Sequence, residues 1–237
     1  MKKKSTAMGL LIPDKMSIGG VTFYKRQGNV IGRVSNSPQK RSNTLPQFKQ
    51  RQKLRHTMAL WKRLRLCETM FTERGNAYQD FASLANRLPV VYVEKMKMEQ
   101  ASFLMPGIPV SDGTLSTVNQ WLGTVDGVPA LLTDLSATGG HSNDRLWLYT
   151  AVQRNENGLP RVEFNMREVS WLELTAVDGS LALVNEAFAD DMKGWALVRV
   201  SDRRCSPQTI ETRCTLFQQY TTEEALQTAA KSYGGLT

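Results

Sequence analysis

The sequence is poor in the residues that carry most catalytic and metal chemistry. It holds two histidines, His56 and His141, and three cysteines, Cys67, Cys205 and Cys214. Neither histidine stands at a metal-site spacing and no C-x-x-C is present, which excludes the common zinc sites and thioredoxin-type redox motifs. No Walker A sequence and no G-x-G-x-x-G occurs, so nothing announces a phosphate-cradling loop. No cofactor and no small-molecule substrate is therefore expected, and the chain reads as a non-enzyme. His141-Ser142-Asn143-Asp144 is read as a polar loop at the tip of a β domain. The adjacent carboxylates of Asp190-Asp191 are paired only by adjacency, and those of Glu223-Glu224 fit a helix start.

Long apolar runs are also lacking. No segment approaches the roughly 18 apolar residues of a membrane span. Met1-Lys2-Lys3-Lys4 resembles the charged start of a signal peptide, but the apolar run from Ala7 to Ile12 is short and is cut by Pro13 and Asp14. Secretion is not expected, and the location expected is the cytoplasm or an assembled particle. The odd number of cysteines fits reduced thiols in such a setting. Cys205 and Cys214 flank a turn, and the sequence alone leaves a bond between them open.

Acidic residues are scarce in one part of the chain. Residues 1–70 contain 16 Lys and Arg against only Asp14 and Glu68, a net +14, and the remainder carries 14 basic against 20 acidic residues, a net −6; together these give the overall +8. Such asymmetry points to a cationic arm that meets a polyanion, an acidic protein face or an anionic membrane surface. The candidate binding residues are Lys25, Arg26, Arg33, Lys40, Arg41, Lys49, Arg51, Lys53, Arg55, Lys62, Arg63 and Arg65. Among nearby aromatics, Tyr24 is the better candidate for stacking on a base, whereas Trp61 reads as core. No recognised DNA- or RNA-reading signature is present, so any nucleic-acid contact would be independent of sequence.

What is present divides into an arm, a helical segment and a β domain. Val21 to Tyr24 and Val30 to Val34 flank Lys25-Arg26-Gln27-Gly28, a hairpin signal, and residues 36–43 read as an extended connector. A helix is expected from Thr44, with Pro46 in its first turn, to about Glu73. Leu54, Leu60, Trp61, Leu64 and Phe71 form its packing stripe and Arg51, Arg55 and Lys62 lie opposite. A shorter helix is expected over Ala77–Ala85. From Pro89 onward, Val90 to Val93, Thr114 to Leu122, Val128 to Leu132, Arg145 to Val152, Arg161 to Met166, Trp171 to Leu174, Leu181 to Val184, Trp195 to Val200 and Arg213 to Tyr220 read as strands. Turn signals at Asp126-Gly127, Asn157-Gly158 and Asp178-Gly179 separate some of them. The pattern suits an antiparallel sandwich or barrel, with the sandwich favoured. A capping box from Thr221 to Glu224 opens a final short helix that Gly234 ends.

The arm and first helix resemble an uncharacterised Bacteroidetes domain-of-unknown-function family. The resemblance rests on Gly28-Asn29-Val30-Ile31-Gly32, on Arg33, Ser35, Pro38 and Arg41, and above all on Thr44 to Leu54, similar to a T-x-x-Q-x-x-Q-R-x-K signature. Asn76 to Phe81 and Val110 to Leu115 are similar to further stretches of that family. The resemblance implies an α+β architecture: a basic N-terminal β-hairpin and helical segment, then an antiparallel immunoglobulin-like β-sandwich with a short C-terminal helix. The expected divisions are 1–43, 44–88 and 89–237. The expected function is that of a structural protein whose arm docks onto neighbouring subunits, itself included, or onto nucleic acid. A component of a phage-like particle or mobile-element complex would fit, and the alternative is a general DNA- or RNA-binding protein.

Overall fold

The computed structural model describes residues 15–18, 21–26, 29–34, 43–67, 76–95, 97, 101–135 and 144–236; for residues 15–18, 25, 26, 29, 33 and 34 it describes the backbone alone. The chain divides into two compact units between residues 43 and 44. In the first unit the expected hairpin forms from β2 (Val21–Arg26) and β3 (Asn29–Val34), paired antiparallel from Val21 opposite Val34 to Arg26 opposite Asn29. A third strand, β1 (Lys15–Ile18), adds to the free side of β2. Its four residues are too few to announce a strand by alternation.

The second unit, residues 44–236, joins the helical segment and the sandwich around shared cores. Helix α1 (Leu45–Leu64) starts after Thr44 in an extended conformation, with proline in the first turn, and closes on Lys62 and Arg63, which suit the negative end of its dipole. It is shorter than expected, because the chain leaves the helix at Arg65; residues 68–75, including Phe71, lie outside the described residues. Helix α2 (Ala77–Ala85) is capped by the Asn76 side chain, which accepts from the amides of Tyr78 and Gln79.

The β-domain elements are β4 (Pro109–Ser111), β5 (Gln120–Val125), β6 (Val128–Thr133), β7 (Arg145–Glu156), β8 (Leu159–Val169), β9 (Leu174–Val177), β10 (Ser180–Val184), β11 (Lys193–Ser201), β12 (Arg204–Cys205), β13 (Gln208–Thr209) and β14 (Glu211–Thr212), followed by helix α3 (Glu223–Ser232). They form one sheet in the order β5-β6-β10-β9 and a second in the order β12-β11-β7-β8, with β14 also paired to β11 and β13 to β4. Four hairpins, β5-β6, β7-β8, β9-β10 and β11-β12, lie within sheets and the chain crosses between the sheets after each of the first three, the Greek-key order of an immunoglobulin-like sandwich. Asp126-Gly127, Asn157-Gly158 and Asp178-Gly179 all take positive φ, which gives the two-residue turns whose twist matches the flanking strands.

Alternation along β7 and β11 buries both faces of the second sheet. Leu146, Leu148, Trp195 and Leu197 meet Leu131 and Leu183 of the first sheet to form the sandwich interior. Tyr149, Ala151, Ala196 and Val198 point the other way, into a larger core with Leu60 and Leu64 of α1, Phe81 and Ala85 of α2, and Val91, Phe103 and Leu104 of the linking segment. The architecture is therefore three layers: helices with irregular chain, then sheet, then sheet.

Several expected strands are not strands. Val90 to Val93 is irregular, since its amides are met by other partners: Tyr92 N–H donates to the carbonyl of Tyr220 and Val93 N–H to Gln52 Oε1. Of Thr114 to Leu122, pairing begins only at Gln120. Trp171 to Glu173 is a 3₁₀ turn held by a Ser170–Glu173 capping box, and β9 follows it; Leu216 to Tyr220 is likewise a 3₁₀ turn. The last helix is capped by Thr222, not Thr221, with the Thr222 side chain accepting from Ala225 N–H. All three cysteines are free thiols, so Cys205 and Cys214 are not bonded.

Candidate partner-binding surface

The candidate surface starts with the way α1 is rotated. Its buried positions are Phe48, Gln52, His56, Thr57, Ala59, Leu60 and Leu64, so three polar side chains sit on the inward face. Each of two has a defined task. Gln52 Oε1 accepts from Val93 N–H at 3.3 Å, and His56 Nε2 accepts from Phe103 N–H at 3.1 Å. Residues 91–93 and 101–105 are buried outside any strand, and an unpaired buried amide is costly, so polar groups on α1 satisfy two of them. Gln153 on β7 does the same from below, accepting from Leu104 N–H at 2.6 Å. His56 lies in an apolar setting against Phe103, and burial lowers its pKa from 6.5 to about 4. At neutral pH it is therefore a neutral acceptor for that amide.

With polar residues inside, apolar ones are left outside. Leu54, expected on the packing stripe, is 49% exposed, and Met58, one turn on, is 41% exposed. Trp61 is half-buried, its ring tilted against Phe81 and Tyr78 with centroids at 5.3 Å and 6.1 Å. Leu60 and Leu64 are fully buried, as the stripe requires.

The candidate cations separate in the same way. Lys62 and Arg65 are exposed, while Lys49, Arg51, Lys53, Arg55 and Arg63 are half-buried. Arg55 is a structural residue rather than part of a solvent-facing stripe: its guanidinium donates to the Tyr233 hydroxyl and lies 5.0 Å from the centre of that ring, tying α1 to the end of α3. No described carboxylate comes within ion-pair distance of Lys49, Lys53, Lys62, Arg63 or Arg65. The β-domain cations contrast with them: Arg145 pairs with Glu168, Arg154 with Glu163, Arg161 with Glu156 and Arg167 with Glu173. The backbones of Lys25 and Arg26 lie on β2 and that of Arg33 on β3, but their side chains lie outside the described residues, as do Lys40 and Arg41. Tyr24 is half-buried on β2.

Elsewhere the titratable groups are engaged in holding the fold. Asp144 is the buried partner of Arg199, at 2.5 Å, and its carbonyl accepts from the Trp171 indole; His141 to Asn143 lie outside the described residues. Asp190 accepts from Met192 N–H and pairs with Lys193, which hold its pKa below the usual carboxylate range. Burial raises the pKa of the Cys67 and Cys214 thiols, which keeps both protonated at neutral pH. Among the described residues no group of His, Cys, Asp and Glu is placed to hold a metal ion, and no helix is long and apolar enough to cross a membrane. A cleft of about 270 Å³ lies between Tyr92 to Lys97 and the start of α3, where Glu94 and Lys97 face each other at 3.7 Å.

The outward face of α1 thus carries Leu54 and Met58 beside Lys62 and Arg65, with no acid in the helix. The cations are legible in the sequence. The exposed apolar pair is not, because Leu54 reads as core until the polar needs of the Val93 and Phe103 amides are known. No protein family, curated protein or solved structure matches the chain.

Proposed function

We propose that this protein is a non-catalytic structural component of a macromolecular assembly, a phage-like particle being one such setting, which docks onto an acidic, partly apolar face of a neighbouring subunit through its basic N-terminal region and the outward side of α1. The observation that carries the reading is the mixture on that side: exposed Leu54 and Met58 among cations that have no described carboxylate partner. A surface that only neutralises phosphates gains nothing from exposed leucine and methionine, whereas protein interfaces combine apolar anchors with arginine. The net +14 of residues 1–70 supplies long-range attraction to such a face.

The test is capture by the full chain from its native source, with and without nuclease, using wild type, Lys62→Glu with Arg65→Glu, and Leu54→Ser with Met58→Ser. The proposal expects one protein partner that resists nuclease and is lost in both double variants. Capture that vanishes with nuclease, and binding to mixed-sequence DNA or RNA with a steep salt dependence, would establish the nucleic-acid reading in its place.

A further inference from the structure

Among the described residues no large apolar side chain is as exposed as Leu172, at 95%. It belongs to none of the cores, yet the turn that presents it, Trp171 to Glu173 between β8 and β9, is firmly held. Leu172 N–H donates to Ser170 Oγ at 3.3 Å, Ser170 N–H to Glu173 Oε1 at 2.8 Å, and Arg167 to Glu173 Oε2 at 2.9 Å. The Trp171 indole donates to the carbonyl of Asp144 at 2.6 Å. A leucine exposed singly is ordinary. One carried on a turn fastened in this way is a preorganised knob, because the turn has little freedom left to lose when the side chain enters a partner.

The same chain carries a socket. A pocket of about 230 Å³ lies at the end of α2, walled by Leu84, Leu88, Pro89, Pro106 and Pro109 and completed by the exposed Arg87 and Thr209. Its three prolines have no N–H to offer, so the walls suit an aliphatic group. An aliphatic cavity of about 150 Å³ takes up benzene, and this pocket has room for a leucine side chain. One wall is fixed by Gly107 N–H, which donates to the carbonyl of Ile210 at 2.9 Å, and by Ile210 N–H, which donates to that of Ile108 at 2.8 Å. Arg87 pairs with no described carboxylate.

We infer that Leu172 of one copy of the chain seats in this pocket of a second copy, and that the contact repeats head to tail. Within one copy the two halves are held apart. The knob follows β8 at one edge of the second sheet, and the pocket lies by the β13-β4 pair and Ile210, next to β14 at the other edge. Charge matches where shape does. Glu173 holds one hydrogen bond on each carboxylate oxygen, of the about two that each accepts, so beside a seated Leu172 it can also receive the Arg87 guanidinium of the neighbour. Knob and pocket are different surfaces, so the contact is heterologous: each copy in a pair keeps one half for a further copy, which builds a chain or a ring. One leucine and its surroundings bury less than the roughly 800 Å² per partner of a standard specific interface. Each contact is therefore weak alone and suited to an array. No residue of α1 takes part, so the inference stands apart from the reading of that helix.

Sedimentation of the full chain from low micromolar to near-millimolar concentration tests the proposal. Wild type is expected to form dimers and then longer species. Leu172→Asp removes the knob and Thr209→Trp fills the pocket, both at exposed positions. Each is expected to weaken association by about tenfold or more and to keep the wild-type thermal midpoint. The deciding sample is an equal mixture of the two variants. Leu172→Asp keeps its pocket and Thr209→Trp keeps its knob, so one contact survives and a dimer, but nothing longer, is expected. Arg87→Glu, which sets a carboxylate against Glu173, replaces Thr209→Trp in the mixture if that variant melts early. Lys62→Glu with Arg65→Glu is expected to leave the series unchanged. A wild-type monomer at every concentration, association that Leu172→Asp leaves intact, or a mixture that forms no dimer would overturn the proposal.

Discussion

Acidification from pH 7 to pH 5 is expected to destabilise this protein through one residue, His56. Its ring is buried, its Nε2 accepts from Phe103 N–H at 3.1 Å, and burial holds its pKa at about 4 against 6.5 when exposed. The folded-state pKa is the lower one, so between these values the unfolded chain binds a proton that the folded chain refuses. The contribution is fully present above pH 6.5 and is lost as the pH falls towards 4. The full shift corresponds to about 3.4 kcal/mol at 1.36 kcal/mol per unit. Integrated from pH 7 to pH 5, the loss is about 1.8 kcal/mol. Burial raises the pKa of Glu211, which favours the folded state on acidification and opposes the effect. The assay is urea unfolding followed by tryptophan fluorescence, at both pH values, for wild type and His56→Gln. Glutamine keeps an acceptor for Phe103 N–H but does not titrate, while Glu211 and His141 are common to both proteins and cancel. Wild type is expected to lose about 1.8 kcal/mol more than the variant. Equal losses in the two would refute the assignment of His56 as a buried neutral acceptor.

Three further outcomes follow from the packing. Asp144→Asn leaves the Arg199 guanidinium, whose side chain is 8% exposed, without its anion and is expected to cost about 3–5 kcal/mol in urea unfolding, much of it recovered when Arg199→Met is added. Gly113→Ala is expected to destabilise by about 1–3 kcal/mol, because its new methyl would meet the backbone carbonyl of Cys205, which cannot swing away; the thermal midpoint reads this. Cys205 and Cys214, both buried and unbonded, are expected to react with a thiol reagent only after denaturation, and a reductant is expected to leave the intact mass unchanged.

The sequence made legible what depends on local chemistry. Asp126-Gly127, Asn157-Gly158 and Asp178-Gly179 mark turns because positive φ favours these residues. Ala77–Ala85 is a helix with the expected ends, and the long alternations of β7 and β8 stand out. What was hidden depends on contacts distant in sequence. Val90 to Val93 has the composition of a strand, but its amides are met by Gln52 and by the carbonyl of Tyr220, and a bond over that separation leaves no periodic trace. Arg55 looked like any exposed cation of the helix until α3 brought Tyr233 to it. Trp171 to Leu174 has the composition of a strand, yet the Ser170–Glu173 box closes Trp171 to Glu173 into a turn and leaves Leu172 at 95% exposure.

The unusual outward side of α1 follows from what its inward side must do. Gln52 and His56 face inward to satisfy the amides of Val93 and Phe103, and at 3.6 residues per turn this rotation carries Leu54 and Met58 outward, where they stand 49% and 41% exposed. Burying the remaining apolar area of such side chains is worth about 25 cal/mol per Å², a gain the isolated chain forgoes. Folding of a single copy therefore accounts for the rotation of the helix but not for the choice of leucine and methionine at positions that a polar residue could fill at no cost to the core.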